Sequence, residues 1–244
     1  MKKILSHIPN AITSLNLLCG ALGIAFVFRG RMDVAFWLLI TASVFDFLDG
    51  FAARLLHAFS AIGKELDSLA DTISFGLLPA FMLYALYLPA APRMWISYSP
   101  LLVAVFTAIR LAKFNVDARQ TESFMGLPSP ASALLIASAV FYTNSNPSWK
   151  ELMQASWFIP CISVVISFLL ISELPMFSLK FQGLSFGRNK VRYTFLGLCL
   201  AMAAVLLATG NHPGLTMMGC ICLYIVMSGI LRISGHHHQG LHKN

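Results

Sequence analysis

The sequence predicts an all-α integral membrane protein, a polytopic bundle of about eight transmembrane helices built as one domain. Three observations predict it. Of 244 residues, 57% are hydrophobic and only 11% charged, with a mean hydropathy of +0.74; that is too apolar for a surface bathed in water. Apolar runs recur along the whole chain, and most approach the roughly 20 residues that a helix needs to cross a bilayer. The breaks between them carry Gly, Pro, Asn or charge, the residues that end helices and make short connections.

The runs fall at 11–28, 34–56, 66–89, 95–114, 129–143, 153–172, 192–209 and 214–232. The run at 129–143 is the shortest and stops at Asn144-Ser145-Asn146-Pro147, which leaves an alternative count open. The whole chain, 1–244, reads as one membrane domain without a repeat or low-complexity segment, its chemistry concentrated in the helices at about 34–89. Met1-Lys2-Lys3 is like the charged start of a signal peptide, but no small-residue cleavage site follows, and the first apolar segment is expected to be retained.

An even number of spans puts both termini on one side. If that side is cytoplasmic, it holds Lys2, Lys3, Arg54, Lys64, Arg110, Lys113, Arg119, Lys180, Arg188, Lys190, Arg192, Arg232 and Lys243, while Arg29, Arg31, Arg93 and Lys150 face away. This asymmetry follows the positive-inside rule. The net charge of +7 is therefore topological, and no stripe of interleaved basic and aromatic residues suggests nucleic acid as a partner. Cys19, Cys161, Cys199, Cys220 and Cys222 all lie in apolar stretches without metal-ligand spacing and read as core residues. The tract His236-His237-His238 lies in a polar tail and reads as solvated.

The chain has ten acidic residues, and four of them, Asp46, Asp49, Asp67 and Asp71, stand within or at the end of apolar runs. A carboxylate there costs about 2.5–3.5 kcal/mol even on lenient insertion scales, so a cluster demands a compensating cation. Asp46 and Asp49 are three apart and Asp67 and Asp71 four apart, which places each pair on one helix face. A short turn around 57–63 makes the two helices an antiparallel hairpin on which both pairs can converge. An all-oxygen site of this kind suits Mg²⁺ or Mn²⁺, and the scarcity of nearby His and Cys argues against zinc. Gly50 and Ala53 follow Asp46 on the same face and leave room for a bulky ligand, while the donor fork of Arg54 suits a phosphate.

The full string, D-x2-D-G-x2-A-R-x8-G-x3-D-x3-D from Asp46 to Asp71 through Gly63, resembles the signature of the CDP-alcohol phosphotransferase family at every fixed position. Eight specified positions at roughly 5% usage each match by chance about once in 10¹⁰ windows, which sets coincidence aside. The resemblance implies that Asp46, Asp49 and Asp67 bind two divalent ions, that Asp71 is both ligand and general base, and that Gly50, Ala53, Arg54 and Gly63 hold the CDP group with Asp49. It also implies a homodimer. Transfer of a phosphatidyl group from CDP-diacylglycerol, a membrane lipid, to an alcohol would release CMP.

Further stretches resemble the membrane-embedded phosphatidylserine synthases of that family: Ile8-Pro9-Asn10 with Thr13, Asp67 to Gly76, Arg110 to Asn115, Gly126-Leu127-Pro128 with Pro130, and Pro175 to Lys180. Lys113 stands where that group usually carries Arg, which keeps the charge but not a bidentate fork. On this basis Asn10 and Thr13 join the CDP-lipid site, and L-serine is the expected acceptor, bound by Arg110, Lys113, Asn115, Arg188 and Asn189. Plainer readings exist: Asn10 as a helix cap, Gly126-Leu127-Pro128 as a turn, and Arg110 and Lys113 as headgroup anchors. A sibling enzyme using glycerol 3-phosphate or inositol, or a cation transporter with an aspartate pathway, would be the alternatives, although a transporter would not need Gly50, Ala53 and Arg54.

Overall fold

The computed structural model describes residues 7–91, 95–116, 124–177 and 189–240. Ten α-helices fill them: α1 (Ile8–Phe28), α2 (Met32–Leu55), α3 (Ala61–Asp71), α4 (Leu78–Tyr87), α5 (Leu101–Val116), α6 (Ser129–Tyr142), α7 (Pro147–Gln154), α8 (Phe158–Ile171), α9 (Lys190–Ala208) and α10 (Pro213–Gly240). A π-helical segment, Thr72–Leu77, joins α3 to α4 into one rod from Ala61 to Tyr87. The only strands among the described residues form a two-residue antiparallel ladder, β1 (Phe124–Met125) against β2 (Pro175–Met176).

Local chemistry sets the boundaries. Pro9 sits in the first turn of α1, where its missing N–H costs nothing. Gly30, at φ +72°, reverses the chain into α2. Ser60 caps α3, its hydroxyl accepting the Gly63 N–H at 2.9 Å, and Asn146 caps α7 by accepting the Trp149 N–H at 2.9 Å. Asn10, by contrast, is no cap: it lies within the first turn of α1, whose capping position is His7.

Five helical rods are long and apolar enough to cross a membrane, namely α1, α2, the Ala61–Tyr87 rod, α9 and α10; a sixth forms if α7 and α8, bent by 76°, count as one broken span. The runs expected at 95–114 and 129–143 fold instead as α5 of 16 residues and α6 of 14. At 1.5 Å per residue these reach about 24 and 21 Å, short of a bilayer core of about 30 Å. Helix α6 is shielded inside the bundle, with Ser129, Ser132, Ala133, Ile136, Ala137, Ser138 and Val140 buried, whereas α5 buries one side and exposes Leu102, Val105 and Ile109 on the other.

The core lies where α2, α4, α6 and α8 meet, with Phe36 stacked on Phe141 at a centroid distance of 4.2 Å and Leu39, Leu78, Leu83 and Ile159 fully enclosed. Helix α1 packs tightly on the rod: a Cβ at Gly20 would collide with Ser74, and one at Gly23 would lie 2.6 Å from Leu78 Cδ2. Large apolar side chains such as Trp37, Phe47, Phe168 and Leu200 remain exposed on the outside, as a lipid-facing surface requires and a water-facing one forbids. The protein is a multi-pass, all-α membrane protein.

Candidate active site

The end of α2 and the start of α3 stand side by side because only the five residues 56–60 separate the helices. That hairpin brings Asp46, Asp49 and Asp67 together, with one carboxylate oxygen from each lying within 4.8 Å of the others. Asp49 is steadied by α1, the Thr13 hydroxyl donating to its Oδ2 at 2.7 Å. Among the described residues Asp46 and Asp67 have neither a hydrogen-bond nor an ion-pair partner. Three converging anions in an apolar bundle, two of them without partners, fit a divalent cation far better than they fit one another.

Asp71 stands apart from this triad. It is buried one turn deeper along the rod, where the Asn16 side-chain amide donates to its Oδ1 at 3.3 Å. Of the four carboxylates expected to converge, three have oxygens within 4.8 Å of one another, and the fourth lies within Coulombic reach of all three and carries a neutral donor from α1. Asn16 was not read as a site residue from the sequence; its spacing after Asn10 and Thr13, three and three residues along an otherwise apolar helix, is the signal that marks it.

An open cleft of about 220 Å³ adjoins the triad, lined by Pro9, Asn10 and Thr13 of α1, Asp49, Gly50 and Ala53 of α2, and Ala58, Phe59, Ser60, Gly63, Lys64 and Asp67. Every residue expected to hold the CDP group except Arg54 lines it, and Arg54 is exposed beside it, its Nη2 lying 4.0 Å from where a Cβ on Gly50 would stand. Small residues keep the cleft open: a side chain at Gly63 would meet Asn10 Oδ1 at 2.8 Å. Lys64 is the one cation in this lining, and the sequence marks it only as a topological charge; its Nζ donates to the Asn115 carbonyl at 3.0 Å.

The residues expected to bind serine separate into distinct settings. Arg110 is the one buried cation among the described residues: Nη1 donates to Ser129 Oγ at 2.8 Å, and Nε is enclosed without a partner. Helix α5 runs antiparallel to the rod, with Thr107 against Gly76, so its guanidinium comes within Coulombic reach of Asp71. Lys113 is exposed. The Asn115 amide donates to Ser68 Oγ at 2.8 Å, which ties the end of α5 to α3. Asn189 is buried and accepts from Arg192 at 2.8 Å; Arg188 lies outside the described residues, as do the side chains of His236, His237 and His238. Gly126 does make a turn, at φ +74°, with its N–H donating to Leu174 O at 2.9 Å.

Comparison with known proteins places these features in context. The family model of the CDP-alcohol phosphatidyltransferases matches residues 6–171. The chain is 34% identical over 212 residues to a CDP-diacylglycerol–serine O-phosphatidyltransferase of Mycobacterium tuberculosis, covering 84% of this chain and 72% of that protein. It is 36% identical over 181 residues to the protein of the same name from Mycobacterium leprae, covering 70% of this chain but only 58% of that relative's length. An archaetidylserine synthase of Methanothermobacter thermautotrophicus is 36% identical over 182 residues, 71% of each chain.

Proposed function

We propose that this chain, which belongs to the CDP-alcohol phosphatidyltransferase family, transfers a phosphatidyl group from CDP-diacylglycerol to L-serine, giving phosphatidylserine and CMP. The observation that carries the reading is a single one: a carboxylate triad beside an open cleft, with Asp71 set between that triad and a buried arginine whose Nε has no partner. The names of the relatives from Mycobacterium and Methanothermobacter support serine as the acceptor.

In this reading Asn10, Thr13, Asp49, Gly50, Ala53, Arg54 and Gly63 would hold the CDP group. Asp46, Asp49 and Asp67 hold two divalent ions, Mg²⁺ or Mn²⁺, and Asp71 adds a further oxygen. When bound, such ions neutralise the pyrophosphate and stabilise departing CMP. Arg110 receives the serine carboxylate in a charge-assisted pair, and Lys113, Asn115, Arg188 and Asn189 are assigned to the same acceptor site from the family resemblance. The serine hydroxyl is thereby aimed at the phosphatidyl phosphorus. Asp71, oriented by Asn16, takes the hydroxyl proton as the new O–P bond forms and the bond to CMP breaks.

Topology belongs to the same reading. Arg54, Lys64 and Lys113 mark the end of the bundle that holds the cleft, and Arg29 and Arg31 mark the other end of α1 and α2. This supports a cytoplasmic site and N-terminus in the cell membrane, and six spans, with α7 and α8 as one broken span, would bring the C-terminus to the same side. The enzyme works as a homodimer, the state its family resemblance implies.

The test is Arg110→Ala in the purified enzyme. Losing a charge-assisted hydrogen bond of about 1.5–3 kcal/mol should raise the KM for serine about 10- to 150-fold and leave that for CDP-diacylglycerol within about twofold. An unchanged serine KM, or activity with inositol or glycerol 3-phosphate but not serine, would remove serine from the reading.

A further inference from the structure

Arg110 is not held by the family-matched residues alone. Its anchor, Ser129, opens α6 immediately after Gly126-Leu127-Pro128. Leu127 is fully buried in a small cluster with Met176 and Tyr224, around which Ala131, Leu169, Phe177, Phe195 and Ile225 pack. Tyr224 belongs to α10, beyond residues 6–171. Its ring lies 4.9 Å from that of Phe177 and 6.0 Å from that of Phe195, and its hydroxyl donates to Phe177 O at 3.1 Å. The phenol is also within Coulombic reach of the Arg110 guanidinium.

We propose that Tyr224 is the positioning residue of the acceptor site: through Leu127 and Ser129 it fixes the direction of the Arg110 guanidinium, so that α10 sets how well the acceptor's carboxylate is received. The inference rests on the reading of Arg110 as the acceptor's cation. Arginine is a flexible side chain with about 2 kcal/mol of rotamer entropy, and one hydrogen bond at Nη1 does not by itself aim a planar fork. Nε is enclosed by protein without a partner, so the bond from Nη1 to Ser129 is the one polar contact among the described residues that holds the fork's direction. A wall made of Leu127 and the Tyr224 ring, pinned to the loop at Phe177, keeps Ser129 from drifting. A displacement of about 1 Å at such a site is enough to lose much of a bidentate contact.

The experiment uses full-length enzyme in lipid nanodiscs with Mg²⁺ or Mn²⁺ supplied. Tyr224→Phe, which keeps the ring and removes the hydroxyl anchor, should raise the serine KM about 3- to 10-fold while the KM for CDP-diacylglycerol and the kcat change by less than twofold. Ser129→Ala, which removes the anchor of Arg110 directly, should give the same split. In the Arg110→Ala background Tyr224→Phe should add nothing further to the serine KM, because the group it positions is gone. A role confined to packing predicts otherwise: a lowered melting temperature with the serine KM unchanged, or both KM values raised alike. Either result overturns the inference, as does full additivity with Arg110→Ala. Should Arg110→Ala raise the serine KM while Tyr224→Phe and Ser129→Ala do not, Tyr224 loses its role and the acceptor reading stands. If Arg110→Ala itself leaves the serine KM unaltered, the acceptor reading falls first.

Discussion

Replacing Gly63 by alanine tests the cleft with a single methyl group. The new Cβ would stand 2.8 Å from Asn10 Oδ1 and 2.9 Å from Ser60 Oγ, whereas a carbon and an oxygen settle at about 3.3 Å or more. Both obstacles are the tips of side chains, so they give way by about half an ångström and the helix stays where it is. Two stability effects then oppose each other. Alanine in place of glycine gains up to about 1 kcal/mol of helix propensity, and disturbing the Ser60 cap on the Gly63 N–H costs about 1 kcal/mol. The melting temperature should therefore barely move. The cleft has no such offset, because Asn10 is turned away from the position it holds beside the CDP group. One hydrogen bond to a charged ligand is worth about 1.5–3 kcal/mol, which predicts a KM for CDP-diacylglycerol about 10- to 150-fold higher and a matching loss of inhibition by CMP. Initial rates at saturating serine, with a thermal melt on the same preparation, measure both. A KM within twofold of the parent would refute the placement of the nucleotide in this cleft.

Three other perturbations follow from the site. Asp71→Asn keeps the shape and the contact with Asn16 but cannot accept a proton, so turnover should fall about 10²- to 10⁴-fold with little change in CDP-lipid KM; full activity would end the assignment of Asp71 as base. Asp46→Ala removes one member of the triad, and the Mg²⁺ or Mn²⁺ concentration needed for half-activation should rise well above that of the parent, a shift visible in titrations after chelation with EDTA. Gly126→Ala demands a left-handed φ of +74° from a residue whose Cβ would lie 2.6 Å from Leu170 O, a backbone atom that cannot swing aside. Destabilisation of about 1–3 kcal/mol is expected, read as a lower melting temperature in detergent.

The catalytic hairpin was legible in the sequence because its information is local. Charges at spacings of three and four inside apolar runs can only mean a shared helix face, and a connection of a few residues can only fold the two faces together. What the sequence did not show depends on the approach of distant segments. The bond from Asn16 to Asp71 exists because α1 packs closely on the rod at Gly20 and Gly23, and no pattern within α1 says which partner it meets. The separation of Asp71 from the triad was hidden for the same reason. Hydropathy alone also could not tell that α6 is a short helix shielded by protein, since a run buried in a bundle and one bathed in lipid look alike. The break of 76° between α7 and α8 falls inside a run that reads as continuous, although Ser156 at the break uses its carbonyl to accept the Tyr87 hydroxyl at 2.6 Å.

The turn at the mouth of the cleft has a kinetic consequence. Leu55, Phe59 and Ile62 are 66%, 74% and 75% exposed, and Phe59 also lines the cleft. Apolar side chains of that size find their lowest free energy in the boundary between headgroups and acyl chains, so the opening sits at the membrane surface, level with the phosphates of neighbouring lipids. The two substrates then arrive by diffusion in different dimensions. Under the proposed function the nucleotide-bearing lipid would slide in within the plane of the leaflet without leaving it, while the amino acid would drop in from the aqueous side. Velocity should accordingly track the mole fraction of CDP-diacylglycerol in mixed micelles, showing surface dilution when inert detergent is added, and the bulk molarity of serine.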